Sequence, residues 1–140
     1  MKNKLFLGDL QKGMEFRRSY KMAVWRILLM ALSSGDWNQI HWNPVAAHRR
    51  LKVKGTVAHG VLMGYVSQMV GVRFFADGTY LTEIDVRFRG WVGSNELIEI
   101  VLLTLAVNRR GRARFQLTVF AGDRTLLEGE IHVWIPSGKE

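Results

Sequence analysis

The second half of the chain is a succession of long β-prone runs with little between them, and this restricts the fold more than any other feature. Leu81 to Phe88 alternates, Leu97 to Val107 is a continuous β-prone run, Arg114 to Phe120 follows the turn-prone Arg109-Arg110-Gly111, and Leu126 to Ile135 follows Gly122-Asp123. In the last run Ile131, Val133 and Ile135 alternate with His132 and Trp134, as in a strand with one buried face. Strands joined by short turns run antiparallel, because parallel neighbours need a crossover of about a dozen residues. An antiparallel sheet with one apolar face needs something to cover that face.

The segment Gly60 to Gly71 offers the cover. It carries apolar residues on nearly every side, and a helix that is apolar all round belongs inside a protein. Upstream, Met14 to Tyr20 reads as a short strand. Lys21 to Ser33, rich in Ala, Leu and Met, reads as a helix that stops at Ser33-Ser34-Gly35. Asp36 to Trp42 follows as a loop. Asn43-Pro44 opens a second short helix to about Arg50, with Asn as N-cap and Pro at the first helical position, where its missing N–H costs nothing. The expected architecture is an α+β domain in which a meander of long strands wraps one buried helix. With 140 residues and no linker, repeat or low-complexity stretch, a single domain over residues 1–140 is expected.

Composition excludes several classes of function. There is no cysteine, so disulfides, thiolate metal sites and thiol nucleophiles are out. Met1 to Phe6 is basic but is not followed by an apolar stretch of signal-peptide length, and Val24 to Leu32 is broken by Arg26 and too short to span a bilayer. A soluble cytoplasmic protein, without a membrane partner, is the default expectation. The net charge of +8 invites nucleic acid. Its basic residues gather in His48-Arg49-Arg50-Leu51-Lys52-Val53-Lys54 and Arg109-Arg110-Gly111-Arg112-Ala113-Arg114, and neither cluster sits in a nucleic-acid-binding motif or is interleaved with aromatics. Nucleic acid is therefore not expected as a partner. The same field suits a phosphate-bearing small molecule or an acidic carrier protein, and solvated loops are an equally good account of both runs.

The polar loop holds the chemistry. In Asp36-Trp37-Asn38-Gln39-Ile40-His41 an Asp and a His lie five positions apart. A carboxylate and an imidazole held close together can exchange protons with water near neutral pH. Taken singly, an Asp after Gly is often only a turn former and a lone His a satisfied structural residue. Ala58-His59-Gly60 stands where the apolar helix begins; Gly60 reads equally as a plain helix-start glycine, and His59 as a residue that shapes the turn. His48 is placed on an exposed basic helix end and His132 on the outward face of a strand. The four His and the carboxylates show no metal-ligand spacing such as His-x-x-x-His, so no metal and no cofactor is expected.

Two blocks, Ser34-Gly35-Asp36-Trp37-Asn38-Gln39-Ile40-His41-Trp42-Asn43 and Ala58-His59-Gly60-Val61-Leu62, resemble the signature of the MaoC-like hydratases and dehydratases, which include the (R)-specific enoyl-CoA hydratases. Asp85-Val86-Arg87-Phe88-Arg89-Gly90 is similar to a third, weaker block, and the order of elements agrees from about Leu7 to Pro136. The resemblance implies a hot-dog fold, an antiparallel sheet around a central helix, paired as a homodimer with active sites near the interface. It implies reversible hydration of 2-enoyl thioesters to (R)-3-hydroxyacyl thioesters, carried on CoA or acyl carrier protein. Asp36 and His41 would be the catalytic dyad, the Gly60 N–H the oxyanion donor, Asn38 a support for the loop or the water, and His59 a second support. Arg109 and Arg110, with the cluster Arg49 to Lys54, would contact CoA phosphates or an acidic carrier.

The chain departs from that pattern at three positions. Gln39 stands where the family often has Pro, which bears on loop stiffness, and Asn43 replaces a frequent Asp, which a helix cap tolerates. Gln68 stands where many relatives carry Ser, and Ser67 cannot substitute because one step on a helix is a rotation of about 100°. Gln68 is therefore a candidate pocket residue. The alternatives to a hydratase are a hot-dog thioesterase, which needs a carboxylate aimed at the carbonyl carbon and no His at this spacing, and a non-catalytic acyl-thioester-binding subunit of a heterodimeric dehydratase.

Overall fold

The computed structural model describes residues 4–60, 62 and 73–138. In chain order these form strand β1 (Glu15–Lys21), helix α1 (Val24–Ser34), helix α2 (Pro44–Leu51), then β2 (Tyr80–Phe88), β3 (Leu97–Val107), β4 (Arg112–Ala121) and β5 (Arg124–Trp134). The strands make one sheet in the order β1-β3-β4-β5-β2, and each neighbouring pair is antiparallel. Among the described residues no helix is long and apolar enough to cross a membrane.

The hairpins β3–β4 and β4–β5 are the expected meander, reversed at Gly111 (φ 93°) and Gly122 (φ 62°), where a left-handed backbone suits glycine. The order departs from a simple meander at the edges. Strand β2 does not pair with its successor β3; it lies beside β5, while β1 takes the free edge of β3. The eight residues between β2 and β3 are long enough to carry the chain across the sheet, so the short-turn rule does not bind there. Gly129 of β5 admits this neighbour: a Cβ at that position would stand 2.1 Å from the Asp85 carbonyl oxygen and 2.6 Å from the Val86 Cα of β2.

Alternation makes one face of the sheet apolar. Ile98, Ile100 and Leu102 of β3, Phe115, Leu117 and Val119 of β4, and Ile131 and Val133 of β5 are all buried, with Met22, Ile27, Leu62 and Phe75 against them. Burial of this kind is worth roughly 25 cal/mol per Å² of apolar surface, and it selects the register, since a slip by one residue would turn every one of these side chains to solvent. Gly60 and Leu62 are helical, and Leu62 belongs to this core. The rest of the expected central helix, including Ser67 and Gln68, lies outside the described residues.

Helix α1 begins three residues later than the periodicity suggests. Lys21 is the last residue of β1, and Met22 is fully buried, its N–H given to the Glu96 carbonyl. The helix ends as expected, on Gly35 with φ 71°. Helix α2 starts as expected too: the Asn43 side chain accepts the N–H groups of Val45 (3.0 Å) and Ala46 (3.2 Å), and Pro44 is the first helical residue. Between the two helices runs the polar loop, at the end of the sheet where β2 finishes and β3 begins.

Candidate active site

Short polar side chains build the loop one turn at a time. Ser34 Oγ, on the last residue of α1, accepts the N–H of Asp36 at 3.3 Å. Asp36 Oδ1 accepts the N–H of Asn38 at 3.2 Å, and Asn38 Oδ1 in turn accepts the N–H of Ile40 at 3.4 Å. Residues that bond the backbone two positions on favour such turns. The result is a single 3-10 turn over Gln39–His41, within a stretch whose polar residues suggest only a loop, with Asn38 as its cap. One oxygen of Asp36 is thus used locally, while the other is free to face inward.

That other oxygen meets two imidazoles. Asp36 Oδ2 is 3.6 Å from His41 Nε2 and 3.9 Å from His59 Nε2. The rings of His41 and His59 are stacked, with centroids 3.6 Å apart and planes 18° from parallel. Both His are buried, at 7% and 5% exposure, whereas the Asp36 side chain is 53% exposed, so the group opens to solvent on the carboxylate side. His59 is held there by the backbone of its neighbours: Val57 N–H bonds to the Ile40 carbonyl and Ala58 N–H to the Val92 carbonyl, each at 2.9 Å.

The partners assign the protons. His41 Nδ1 lies 2.7 Å from the Val57 carbonyl oxygen, which can only accept, so the neutral ring carries its hydrogen on Nδ1 and presents the Nε2 lone pair to Asp36. His59 Nε2 lies 3.3 Å from the Asp36 main-chain carbonyl, so its hydrogen is on Nε2, and its buried Nδ1 has no partner among the described residues. Burial lowers the proton affinity of His59 below the ordinary histidine value; the Asp36 carbonyl opposes this, nearby His41 adds to it, and the Asp36 charge opposes it. The two imidazoles are thus opposite tautomers, one an acceptor towards Asp36 and one a donor.

Asp36, His41 and His59 also bring three donor atoms within 4.8 Å of one another. Near-parallel rings aim their lone pairs side by side rather than at one point, so a single ion would meet each ring far out of its plane. The arrangement suits proton exchange better than metal ligation. The separation of 3.6 Å between Asp36 Oδ2 and His41 Nε2 is too long for a direct hydrogen bond, yet both atoms can reach one water on their open side.

Of the residues singled out in the sequence, Asp36, Asn38, His41, His59 and Gly60 fall together here. Gly60 is the first helical residue after His59, and a Cβ on it would touch the Phe88 ring at 3.5 Å, which joins the block around Asp85–Gly90 to the other two. Arg50, at the end of α2, reaches Asn38 Oδ1 at 3.4 Å. Arg109 and Arg110 are not part of this group within the chain. They sit on the β3–β4 turn, and β3 rises about 30 Å from its start near the site to that turn. His48 is exposed and His132 faces outward between Glu83 and Glu130, as read from the sequence.

An antiparallel five-stranded sheet with an Asp–His site at one end defines an α+β protein of the hot-dog class, and solved structures bear out that fold. The chain superposes on the R-hydratase PhaJ1 of Pseudomonas aeruginosa with a TM-score of 0.87 at 22% identity, over 96% of this chain and 88% of that one. On the (R)-hydratase of A. caviae involved in PHA biosynthesis it superposes with a TM-score of 0.79 at 21% identity, over 91% and 98%. Residues 6–118 match the MaoC like domain, and the chain belongs to that family. It is also 28% identical over 138 residues to a 3-hydroxybutyryl-CoA dehydratase of Methylorubrum extorquens, covering 97% of this chain and 87% of the relative.

Proposed function

We propose that the chain is a lyase that adds water reversibly to 2-enoyl-CoA thioesters to give (R)-3-hydroxyacyl-CoA, with Asp36 and His41 as the catalytic pair. The reading rests on one observation above all, the open Nε2 of His41 set 3.6 Å from Asp36 Oδ2 with its other nitrogen committed to the Val57 carbonyl. Relatives named as a 3-hydroxybutyryl-CoA dehydratase and as (R)-hydratases support the reaction class and the CoA thioester.

The chemistry follows from the tautomers. His41 Nε2 takes a proton from the water held between it and Asp36, and the water oxygen bonds to C3 as the double-bond electrons move towards the thioester oxygen. The N–H of Gly60, at the start of its helix, holds the enolate charge that develops there. The proton taken up then passes to C2. Water has been added as OH at C3 and H at C2, and the pair ends as it began. Asn38 contributes by capping the 3-10 turn that aims His41. Gln68, which lies outside the described residues, is kept as a candidate pocket residue from the sequence alone, and acyl carrier protein is a second vehicle for the thioester.

Arg49 and Lys54 are exposed beside an apolar cleft lined by Pro44, Val45 and Val53, in the same part of the molecule as the loop, and would contact CoA phosphates. Arg109 and Arg110 would serve the same end only for a ligand that reaches the far turn. A homodimer is proposed as the working form; the edge strand β2 exposes Ile84 and Phe88, which a second copy would cover. Sedimentation at micromolar concentration tests this, and a monomer would refute it.

The deciding experiment follows loss of the enoyl absorbance on a short-chain 2-enoyl-CoA and on the carrier-linked substrate. Activity in the wild type and its loss in Asp36→Asn and His41→Ala is the expected result. Inactivity of the wild type on both substrates, or full activity of the variants, would sink the proposal.

A further inference from the structure

Asp36 faces two imidazoles, and only one is arranged as a base. His59 carries its hydrogen on Nε2, 3.3 Å from the Asp36 carbonyl oxygen and 3.9 Å from Asp36 Oδ2. Its Nδ1 is buried with no hydrogen-bond partner among the described residues, and the residue is 5% exposed. A second proton would have to sit on that nitrogen, where no acceptor among the described residues meets it, so a cation there would be buried without a hydrogen bond. Among the described residues the titratable groups facing His59 are Asp36 and His41 on the loop. The segment Val92–Ser94, which packs from the other side, brings no titratable side chain.

We propose that His59 is a positioning residue for Asp36: a neutral Nε2–H donor that holds the Asp36 main chain, and through it sets the carboxylate beside His41, and not a second proton acceptor. The sequence alone reads His59 as a residue that shapes the turn before the helix. Tautomer and burial decide. Were His59 to take a proton, it would form an ion pair with Asp36 and compete with His41 for the carboxylate on which the water depends. A neutral donor anchors the main chain of the residue that carries this carboxylate, without that competition. Stacked beneath His41, the ring also keeps solvent from one face of the acceptor.

Gln and Phe separate this role from simple packing. Glutamine places an amide N–H near the position of the imidazole Nε2–H but has no ring, whereas phenylalanine keeps a ring and has no donor. His59→Gln is expected to retain turnover within about threefold, and His59→Phe to lose about 10- to 100-fold in kcat with KM unchanged. In both, the acidic limb of the kcat/KM profile should stay where the wild type has it, because His59 does not titrate there. If Phe is as active as the wild type, or Gln is the weaker of the two, or both lose activity equally, the donor role is wrong.

The kinetic arm rests on the hydratase reading, and a second measurement does not. Imidazole nitrogen shifts of the labelled protein, followed from about pH 8 downward, should show His59 as the neutral Nε2–H tautomer that takes up its proton below the ordinary histidine value. Titration of His59 at or above the ordinary histidine value, or an Nδ1–H tautomer, overturns the proposal whether or not the chain hydrates enoyl thioesters. A wild type that is inactive while His59 behaves as stated would refute only the hydratase reading. Thermal melts confirm that each variant folds, and if the Phe variant does not, the Gln variant and the nitrogen shifts decide.

Discussion

His41 gives its Nδ1–H to the carbonyl oxygen of Val57, sixteen residues on in sequence and 2.7 Å away. That bond turns an ambidextrous imidazole into a directed base, because it commits one nitrogen as donor and leaves the other as a lone pair facing Asp36. Val57 is itself tied to the loop, its N–H bonded to the Ile40 carbonyl, so the segment that orients His41 is held by the residue before it. Four expected outcomes follow from this geometry and from the sheet that carries it.

Removing either half of the pair should abolish most of the activity without unfolding the protein. Asp36→Asn keeps an acceptor oxygen for the Asn38 N–H but loses the charge, and His41→Ala loses the base. Each is expected to lower kcat by about 10²- to 10⁴-fold, read from the enoyl absorbance at saturating substrate, with thermal melts showing the fold intact.

Burial of His59 makes part of the stability depend on pH. Its folded proton affinity lies below the unfolded value of 6.5, so in between the unfolded chain binds more protons. The contribution is fully present above that pH and is lost as pH falls towards the lower folded value. The melting temperature of the wild type should fall between pH 7.5 and pH 5.5, and that of His59→Gln should fall less. Parallel decreases in the two proteins would show that His59 is not the source.

Cations near the loop should matter for binding and not for turnover. Arg49→Ala and Lys54→Ala are each expected to raise KM for a CoA substrate by about three- to tenfold at low salt, with kcat preserved and the effect fading as salt is raised. The pair Arg109→Ala, Arg110→Ala, about 30 Å further along the sheet, should have a smaller effect if one chain binds the whole ligand. Initial rates over a range of substrate concentrations compare them.

Gly129→Ala tests the edge of the sheet. Its Cβ would meet backbone atoms of Asp85 and Val86 at 2.1 and 2.6 Å, and backbone cannot swing aside as a side chain does. A loss of about 2–4 kcal/mol in unfolding free energy is expected, measured by urea denaturation. A loss below about 0.5 kcal/mol would mean that β2 shifts at little cost.

Much of this was legible in the residues. The run Leu97 to Val107 could be read as a strand because it is β-prone throughout, Leu126 to Ile135 because alternation records which face is buried, and Asn43-Pro44 as a helix start because capping is a local matter. Asp36 and His41 stood out because their spacing matches a family signature. The partner of β2 could not be read: a link of eight residues allows a neighbour or a crossover, and pairing with β5 depends on the missing side chain at Gly129, which is informative only once β2 lies beside it. The start of α1 was missed for a similar reason. Helical propensity runs through Lys21 and Met22, but tertiary bonds hold Lys21 in the sheet and Met22 against Glu96.

By itself, then, the sequence determined the strand pattern, the capped helix, the absence of thiol chemistry and the presence of a carboxylate and an imidazole within one loop. These follow from periodicity, from bonds between near neighbours and from the chemical identity of side chains, all of which a linear string carries. Only the tertiary structure decided which nitrogen of each imidazole holds its hydrogen, that His59 stands as near to Asp36 as His41 does, and that Arg109 and Arg110 lie far from both. A tautomer is set by a bond to a distant carbonyl, and a proton affinity by how much water is excluded. Neither exists until the chain has brought Val57, Asp36 and the two rings together.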